Sequence, residues 1–203
     1  MKTIGLTGGI GTGKSTVSEY LKEKGCVIID ADLLSKEMTQ KGSPALDEIK
    51  RSFGEKYISK EGNLERKLLG DLVFNNPEAL AKLQTIITKK VEEKIDSILK
   101  QLKERDNDDI VVIDAPLLFE CGMESVADEN WLITADMSVR IQRVKKRDGL
   151  SEKQISDRIN NQMSEEEKRG KSRCIIDNSG TVEELYRKVD KIIERIRDEF
   201  KQG

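Results

Sequence analysis

A glycine-rich run near the start of the chain limits its fold more than any other feature. Residues 8–15 read Gly-Gly-Ile-Gly-Thr-Gly-Lys-Ser, which fits the pattern G-x-x-x-x-G-K-[S/T] at every position. The run follows a β-prone segment, Thr3 to Thr7, and precedes a helical pattern from about Lys14 to Lys24. A strand, a glycine-rich turn and a helix in that order form the context in which this pattern binds phosphate. The residues therefore predict a phosphate-binding loop, or P-loop.

The residue types of this loop indicate its chemistry. Glycines let the backbone turn tightly, so that successive N–H groups point into one cavity and meet phosphate oxygens. The N-terminus of the following helix adds the positive end of its dipole. Lys14 supplies a positive charge to the β- and γ-phosphates, and Ser15 offers a hydroxyl ligand to Mg²⁺. We therefore expect a nucleoside triphosphate with Mg²⁺ at this loop.

Short apolar runs alternate with helical patterns along the chain. Four runs besides the first predict strands, and they cover Val27–Ile29, Ile110–Ile113, Trp131–Thr134 and Cys174–Ile176. This alternation predicts an α/β fold with a parallel sheet that has helices on both faces. We expect a single domain over residues 1–203, with a nucleotide-binding core in 1–32, 108–136 and 172–203. A helical insertion, 33–107, would bind something other than the nucleotide, and a charged helical stretch, 137–171, would form a lid.

Acidic residues follow two of the predicted strands. Asp114 ends the Ile110–Ile113 run, where an acidic residue of a P-loop site orients Mg²⁺; the alternative is that it caps a turn before Pro116. Asp30 and Asp32 follow the second strand, at the edge of a parallel sheet where ligands bind. The chain has no histidine, so a carboxylate is the natural acceptor of a hydroxyl proton. We predict Asp32 for that role; the alternative is a helix N-cap, and one residue can do both.

Three arginines, Arg140, Arg143 and Arg147, have the spacing i, i+3 and i+7, which places them on one face of a helix. Guanidinium groups in line suit a lid that closes on phosphates and neutralises charge during transfer. A solvated charged face is the alternative, and beside a P-loop we favour the lid. The cluster from Lys168 to Arg173 is predicted to be solvated.

Composition narrows the class of protein. A net charge of −2 and a pI near 5.6 argue against a nucleic-acid partner. Three scattered cysteines, no signal-peptide pattern and no apolar run of the ~18–20 residues that span a bilayer predict a cytoplasmic protein without a membrane partner. The N-K-x-D tetrapeptide that switch GTPases need is absent. A chain of 203 residues with these features fits a small-molecule kinase.

Beyond the P-loop, several segments resemble one family, the dephospho-coenzyme A kinases, over nearly the whole chain. These segments are Ile4–Val17, Ile29–Asp32, Lys41–Ala45, Phe53-Gly54, Glu61–Leu64, Ile113–Glu120, Gln142-Arg143, Arg147-Asp148, Gln162-Met163 and Ile176–Gly180. The resemblance implies a P-loop NTPase three-layer fold like that of nucleoside monophosphate kinases, with a five-stranded parallel sheet, a helical acceptor-binding region and a mobile lid. It also implies transfer of the ATP γ-phosphate to the ribose 3′-hydroxyl of dephospho-CoA, the last step of coenzyme A synthesis.

The same resemblance implies roles for individual residues. ATP would be bound by Gly9, Gly11, Thr12, Gly13, Lys14, Ser15, Thr16, Arg147 and Asn178, the last of these near the adenine. Catalysis would rest on Lys14, Asp32, Arg140 and Arg143, and Mg²⁺ on Ser15 and Asp114. Asp32, Leu117, Leu118 and Glu120 would border the acceptor. We expect a monomer or a weak homo-oligomer.

One departure from the family pattern concerns the acceptor. Family members usually carry a His-Pro pair after the two isoleucines of the insertion, whereas here Ile86-Ile87 is followed by Thr88-Lys89. The change weakens an acceptor contact, or Thr88 replaces its hydrogen bond. Two alternatives remain: a P-loop kinase for another nucleotide-like acceptor, and a nucleotide-binding regulatory protein without turnover. The intact Lys14, Ser15, Asp32 and Asp114 argue against the second.

Overall fold

The computed structural model describes residues 1–105 and 109–202. These residues form two compact units, one of Met1–Ile29 with Lys103–Gly203 and one of Asp30–Leu102. The predicted boundary between residues 107 and 108 and the predicted end at 203 lie outside the described residues. The unit Asp30–Leu102 overlaps the helical insertion expected from the sequence, and its acceptor-binding role stays a prediction.

Five strands form one sheet in the order β2-β3-β1-β4-β5. They are β1 (Lys2–Gly8), β2 (Val27–Asp30), β3 (Ile110–Asp114), β4 (Glu129–Thr134) and β5 (Cys174–Asp177). Strand β1 pairs in parallel with β3 and β4, and β4 pairs in parallel with β5. The five-stranded parallel sheet expected from the apolar runs is confirmed. Strand β1 lies at its centre, so the loop that follows β1 starts from the middle of the sheet edge.

The described residues also form nine α-helices. These are α1 (Lys14–Glu23), α2 (Ala31–Glu37), α3 (Pro44–Phe53), α4 (Arg66–Phe74), α5 (Pro77–Lys103), α6 (Met137–Asp148), α7 (Glu152–Asn160), α8 (Glu165–Gly170) and α9 (Val182–Gln202). Two short 3₁₀ helices cover Glu55–Tyr57 and Met123–Val126. No helix in the described part of the chain is long and apolar enough to cross a membrane.

The core of the first unit lies between the sheet and the helices α1 and α9. Strand residues such as Ile4, Val112 and Trp131 pack there against the apolar faces of these helices. The rings of Tyr20 on α1 and Tyr186 on α9 stack with their centroids 3.7 Å apart. The apolar residues Leu185, Val189, Ile193 and Ile196 of α9 recur at helical spacing and are all buried on this face. This packing holds α1, and with it the P-loop, against the sheet.

The second unit, Asp30–Leu102, has a small core of its own, formed by Ala45, Ile49, Tyr57, Leu69 and Ile86. Helix α5 begins at Pro77 because Asn76 caps it: the side-chain Oδ1 accepts from the N–H of Ala79 at 3.0 Å. Thr88 and Lys89 lie on α5, the threonine half-buried and the lysine exposed.

The charged stretch predicted to form the lid consists of the three helices α6, α7 and α8. Gly149 caps the C-terminal end of helix α6, and its positive φ of 68° lies in the left-handed region. Capping boxes begin the other two helices, Ser151 with Gln154 at α7 and Ser164 with Glu167 at α8. The segment that joins α7 to α8, residues 161–164, is called the lid linker below.

Candidate active site

The P-loop joins strand β1 to helix α1 and curls through residues that only glycine suits. Gly11 and Gly13 have φ values of 80° and 87°, the left-handed region that glycine favours. A Cβ at Gly11 would lie 2.8 Å from the carbonyl oxygen of Arg140, and one at Gly13 would collide with the side-chain amide of Asn178. Neighbouring elements therefore pack directly on the loop backbone, which needs these glycines for space as well as for conformation.

Lys14 and Asp114 form an ion pair at the base of the loop. Strands β1 and β3 are adjacent and Leu6 is in register with Asp114, so the end of β3 lies beside the start of the loop. Lys14 is the first residue of α1, and its side chain and that of Asp114 are only 13% and 12% exposed. The carboxylate thus contacts Lys14, which is a P-loop arrangement and not the turn cap that was the alternative.

The hydroxyl groups of the loop have different roles. Thr12 is buried, and its Oγ1 donates to the carbonyl oxygen of Gly9 at 2.9 Å, which closes the loop on itself. Ser15 is exposed in the first turn of α1, next to Lys14. A serine hydroxyl and a carboxylate such as that of Asp114, which contacts the neighbouring Lys14, are oxygen ligands of the kind that Mg²⁺ prefers. These residues fit a Mg²⁺ ion that also binds phosphate oxygens and water; the described residues contain no cluster of three or more histidine, cysteine, aspartate or glutamate side chains suited to a metal.

The three lid arginines on α6 have three different environments. Arg140 is buried, and its Nε donates to the carbonyl oxygen of Ile10 at 2.9 Å, with Glu165 3.9 Å from its Nη1. Burial lowers the pKa of the Arg140 guanidinium, and Glu165 partly opposes this. Arg140 therefore supports the P-loop from the side of the lid.

Arg143 and Arg147 lie further along α6. A buried Nη1 of Arg143 has no hydrogen-bond partner among the described residues, and a Cβ at Gly13 would lie 3.7 Å from it. Arg147 is exposed and holds Asp148 through two bonds of 2.7 and 3.0 Å, which raise the pKa of the guanidinium. The three side chains therefore have different partners, although the spacing predicts a common face. Arg143 is the one that carries an unused donor beside the loop.

Asn178 lies in the turn between β5 and α9 and supports the loop from the other side. Its side chain is 4% exposed and its Nδ2 donates to the carbonyl oxygen of Thr12 at 2.7 Å. The backbone N–H of Asn178 donates to Thr134 at the end of β4, at 2.8 Å. The resemblance implies a position near the adenine for this residue; the contact that the structure displays is with the loop backbone.

Two residues at the lid were not predicted as site residues. The Oε1 of Gln162, in the lid linker, accepts from the N–H of Ile10 at 3.0 Å. Lys168 on α8 is 2% exposed, and its Nζ lies 2.7 Å from Oε1 of Glu120. The prediction that Lys168 is solvated is wrong, because α8 packs against β4 and turns this side chain inward. Nothing local signals its burial, since Lys168 to Arg173 is a run of mostly charged residues.

The residues expected at the acceptor are spread over both units. Leu117 is 45% exposed, whereas Leu118 is fully buried and packs near Gly5 of β1. In this conformation Leu118 belongs to the core and has no exposed surface to offer an acceptor. Glu120 contacts Lys168, as described above.

Asp32, in the second unit, is exposed in the first turn of α2. The N-cap of that helix is Asp30, whose Oδ1 accepts from the N–H of Leu33 at 2.9 Å. The alternative that Asp32 caps the helix is therefore wrong, and its predicted role toward a hydroxyl proton stays open to test.

A family profile described as "Dephospho-CoA kinase" matches residues 2–184 of the chain. Among curated proteins, the Dephospho-CoA kinase of Fusobacterium nucleatum is 40% identical over 193 residues, which cover 95% of this chain and 97% of the relative. The Dephospho-CoA kinase of Aquifex aeolicus is 39% identical over 196 residues, which cover 97% of this chain and 98% of the relative.

Solved structures that are similar to this chain include a dephospho-CoA kinase. TT1252 from Thermus thermophilus superposes with a TM-score of 0.76 at 33% identity, over 96% of this chain and 97% of that one. Dephospho-CoA kinase from Campylobacter jejuni gives 0.70 at 28% identity, over 96% of each chain. A shikimate kinase from Acinetobacter baumannii, at 15% identity and a TM-score of 0.53, shares the fold alone. Given the profile match and the identity over nearly the full length, the chain belongs to the dephospho-CoA kinase family.

Proposed function

We propose that the chain transfers the γ-phosphoryl group of ATP to the ribose 3′-hydroxyl of dephospho-CoA, which yields coenzyme A and ADP as the last step of coenzyme A synthesis. ATP-dependent phosphorylation of dephospho-CoA is the reaction of its family. The observation that carries the proposal is the P-loop with Lys14 and Asp114 paired at its base. Together they supply both halves of a phosphoryl-transfer site, the anion-binding backbone and the metal-binding oxygens.

Lys14 and the loop backbone carry the electrostatic part of the mechanism. Lys14 is held by Asp114 at the start of α1, so its charge is already in place when phosphates bind. Positive groups that are fixed before the reaction stabilise developing negative charge without a cost of reorganisation. Gly9, Gly11, Thr12, Gly13, Ser15 and Thr16 belong to the same loop and helix start and complete the proposed ATP-phosphate contacts.

Of the three lid arginines, one is free to contact phosphate, whereas the other two already bind groups of the protein. Arg143 keeps a buried donor without a partner beside Gly13, which supports a contact with the transferred phosphoryl group. Arg140 already donates to Ile10, and Arg147 to Asp148. We therefore assign Arg143 to catalysis and Arg140 to holding the loop, while Arg147 reaches ATP only if it leaves Asp148. Asn178 stays a candidate ATP ligand through its place beside the loop.

A divalent metal accompanies ATP in this proposal, and we propose Mg²⁺. Ser15 and Asp114 are the residues that would hold it, together with phosphate oxygens. Bound there, the ion would neutralise charge on the β- and γ-phosphates. Because Asp114 contacts Lys14 in this structure, the carboxylate can orient both cations of the site.

Asp32 is the candidate group that accepts the proton of the attacking hydroxyl. The chain has no histidine, so a carboxylate is the natural side chain for this work. Leu117, with its exposed side chain, is a candidate for an acceptor contact. Acceptor binding by the helical region 33–107 stays a prediction of the sequence. The state of a monomer or weak homo-oligomer and the cytoplasmic location stay predictions of the sequence.

The experiment that tests the function measures ADP formation from Mg²⁺-ATP with dephospho-CoA, adenosine, AMP or no acceptor. We expect turnover with dephospho-CoA alone and a product that carries one additional phosphate. Mass spectrometry after nuclease P1 digestion, which removes 3′-phosphates, would locate that phosphate.

Each other outcome of this experiment selects a different function. Turnover with another acceptor alone would mean that the Thr88-Lys89 change has altered acceptor choice. ATP binding without turnover on any acceptor would contradict the kinase proposal and favour a regulatory protein.

A further inference from the structure

We infer that Gln162 is a positioning residue for the P-loop, and that the ion pair of the buried Lys168 with Glu120 acts through it by fixing the lid linker. The inference deepens the proposed function, on which it rests for the binding of ATP at the loop. It also gives Glu120 a role that differs from the acceptor contact implied by the resemblance.

The first step concerns Ile10, at the tip of the loop. Its carbonyl oxygen accepts from Nε of Arg140 at 2.9 Å, and its N–H donates to Oε1 of Gln162 at 3.0 Å. Both backbone groups of Ile10 are therefore bound to side chains of the lid, 130 and 152 positions away along the chain. Because the peptide of Ile10 is held at both polar atoms, the lid sets the path of the loop tip.

The second step concerns the lid linker, which presents Gln162. The next residue, Met163, donates its N–H to Oε1 of Glu120 at 3.1 Å. The same oxygen of Glu120 lies 2.7 Å from Nζ of Lys168, one turn into α8. One carboxylate oxygen thus fixes both the backbone of the linker and the helix that follows it.

The third step is electrostatic. Lys168 is 2% exposed and its ammonium forms no hydrogen bond of standard geometry with the described residues, so the negative charge of Glu120 is what compensates it. Removing the charge of Glu120 would leave the buried ammonium of Lys168 without compensation, which is unfavourable. The position of Glu120 is therefore tightly constrained, and so is the linker that depends on it.

The fourth step explains why the linker needs polar anchors. A cavity of about 490 Å³ lies beside it, lined by Gly9, Arg140, Gln162, Met163 and Lys168 among others. Side chains around a cavity lose packing contacts on that side. The linker is thus held near the loop chiefly by the bonds of Gln162 and Met163, and loss of either lets Gln162 move away from Ile10.

The test measures binding of a non-hydrolysable ATP analogue by calorimetry, with kcat and the two KM values for the same variants. Gln162→Met keeps the length of the side chain and removes the acceptor of the Ile10 N–H. We expect Kd for the analogue and KM for ATP to rise roughly 3- to 10-fold, the size of one hydrogen bond, with KM for dephospho-CoA unchanged. Gln162 is half-buried, so this variant should fold.

Glu120→Gln and Lys168→Met test whether the ion pair acts through Gln162. Each should raise Kd for the analogue, and combining Glu120→Gln with Gln162→Met should raise it no further than Gln162→Met alone. A merely structural ion pair would lower the melting temperature while the effects on Kd multiply or are absent. The control is Lys171→Met, which removes an exposed lysine paired with Glu124 at 2.8 Å near the same helix end and should leave Kd unchanged.

An unchanged or lower Kd for Gln162→Met would overturn the inference, as would independent effects in the double variant. Analogue binding by the unmodified chain without turnover on dephospho-CoA would overturn the proposed function alone, since the ratio of Kd values still decides the inference. Failure of the unmodified chain to bind the analogue would overturn both.

Discussion

At the scale of single residues, the site depends on a few charged side chains whose surroundings hold them in place. Lys14 contacts Asp114, Lys168 contacts Glu120, and Arg140 contacts the backbone of Ile10. Arg143 has a buried Nη1 without a hydrogen-bond partner among the described residues, and no ion pair compensates it in the described part of the chain. A phosphate group that enters the loop therefore meets positive charge that is already fixed, which is the condition for electrostatic catalysis.

Replacing Lys14 by alanine tests this electrostatic role. We expect kcat for ADP formation with dephospho-CoA to fall roughly 100-fold or more, because the fixed positive charge at the phosphates is lost. The matched control is Lys201→Ala, which removes an exposed lysine near the end of α9 and should leave the rate unchanged. Turnover of Lys14→Ala within about 3-fold of the unmodified chain would contradict the role.

Asp32 and Asp30 allow a paired test, since they are neighbours with different tasks. Asp32→Asn should lower kcat roughly 100-fold, the scale of general-base catalysis, with little effect on ATP affinity. Asp30→Asn keeps an N-cap side chain on α2 and should leave both kcat and stability nearly unchanged. Steady-state kinetics and thermal unfolding of the two variants provide the comparison. An unchanged kcat in Asp32→Asn would remove it from the mechanism.

At the scale of elements, two helices, α1 and α9, stabilise the first unit around the P-loop. Helix α1 begins in the P-loop and α9 follows the turn that carries Asn178, and the two helices pack on each other. Besides the stacked tyrosines, Asp190 of α9 accepts from Tyr20 and pairs with Lys24, both at 2.8 Å. These contacts fix α1 and the turn that carries Asn178 relative to each other.

The contact of Asp190 predicts a dependence of stability on pH. A hydrogen bond from Lys24, with one from Tyr20, lowers the pKa of Asp190 below its usual value of 3.8. A carboxylate with a lowered pKa stabilises the fold above its unfolded pKa and loses that contribution as pH falls through the folded pKa. Asp190→Asn should therefore lower the free energy of unfolding by about 0.5 kcal/mol at neutral pH, since the pair is partly exposed.

Thermal unfolding from pH 7 down to pH 3 measures this effect. The gap between Asp190→Asn and the unmodified chain should be constant above about pH 5 and close progressively below about pH 4. A gap that stays constant at acid pH would show that the carboxylate charge does not matter. Asp198→Asn, whose carboxylate pairs with Lys201 at the exposed end of α9, is the control and should leave the stability nearly unchanged across this range.

At the scale of the whole molecule, a chain of net charge −2 binds a highly charged anion. It does so because cations are concentrated around one loop in the middle of the sheet edge. The strand order β2-β3-β1-β4-β5 puts β1 between β3, which ends in Asp114, and β4, which leads to the lid arginines. Ligand binding at such a point should stabilise the folded chain as a whole.

Ligand-linked stability provides the test at this scale. At an ATP concentration 100 times Kd the folded state gains about 2.7 kcal/mol, and the melting temperature of a chain of this length should rise by roughly 5–10 °C. We expect EDTA to reduce the shift and to abolish ADP formation, and added Mg²⁺ to restore both. An unchanged rate in EDTA would contradict the assignment of Ser15 and Asp114 as metal-binding oxygens.

The fold class, the P-loop and several helix starts follow from the sequence alone, because each depends on neighbours along the chain. Strand periodicity, glycines at 11 and 13, the Asn76-Pro77 start and the Ser151 and Ser164 capping boxes are local patterns with local causes. The family match extends the same information over nearly the full length.

The contacts between distant side chains depend on tertiary packing and could not be predicted from the sequence. The burial of Lys168 against Glu120, the bonds of Arg140 and Gln162 to Ile10, and the contact of Asn178 with Thr12 join residues 48 to 166 positions apart. No periodicity predicts such contacts, because burial follows from which element packs on which. The charged run around Lys168 therefore predicts a solvated side chain, whereas packing of α8 on β4 buries it. There it contacts Glu120, which also binds the lid linker beside the P-loop.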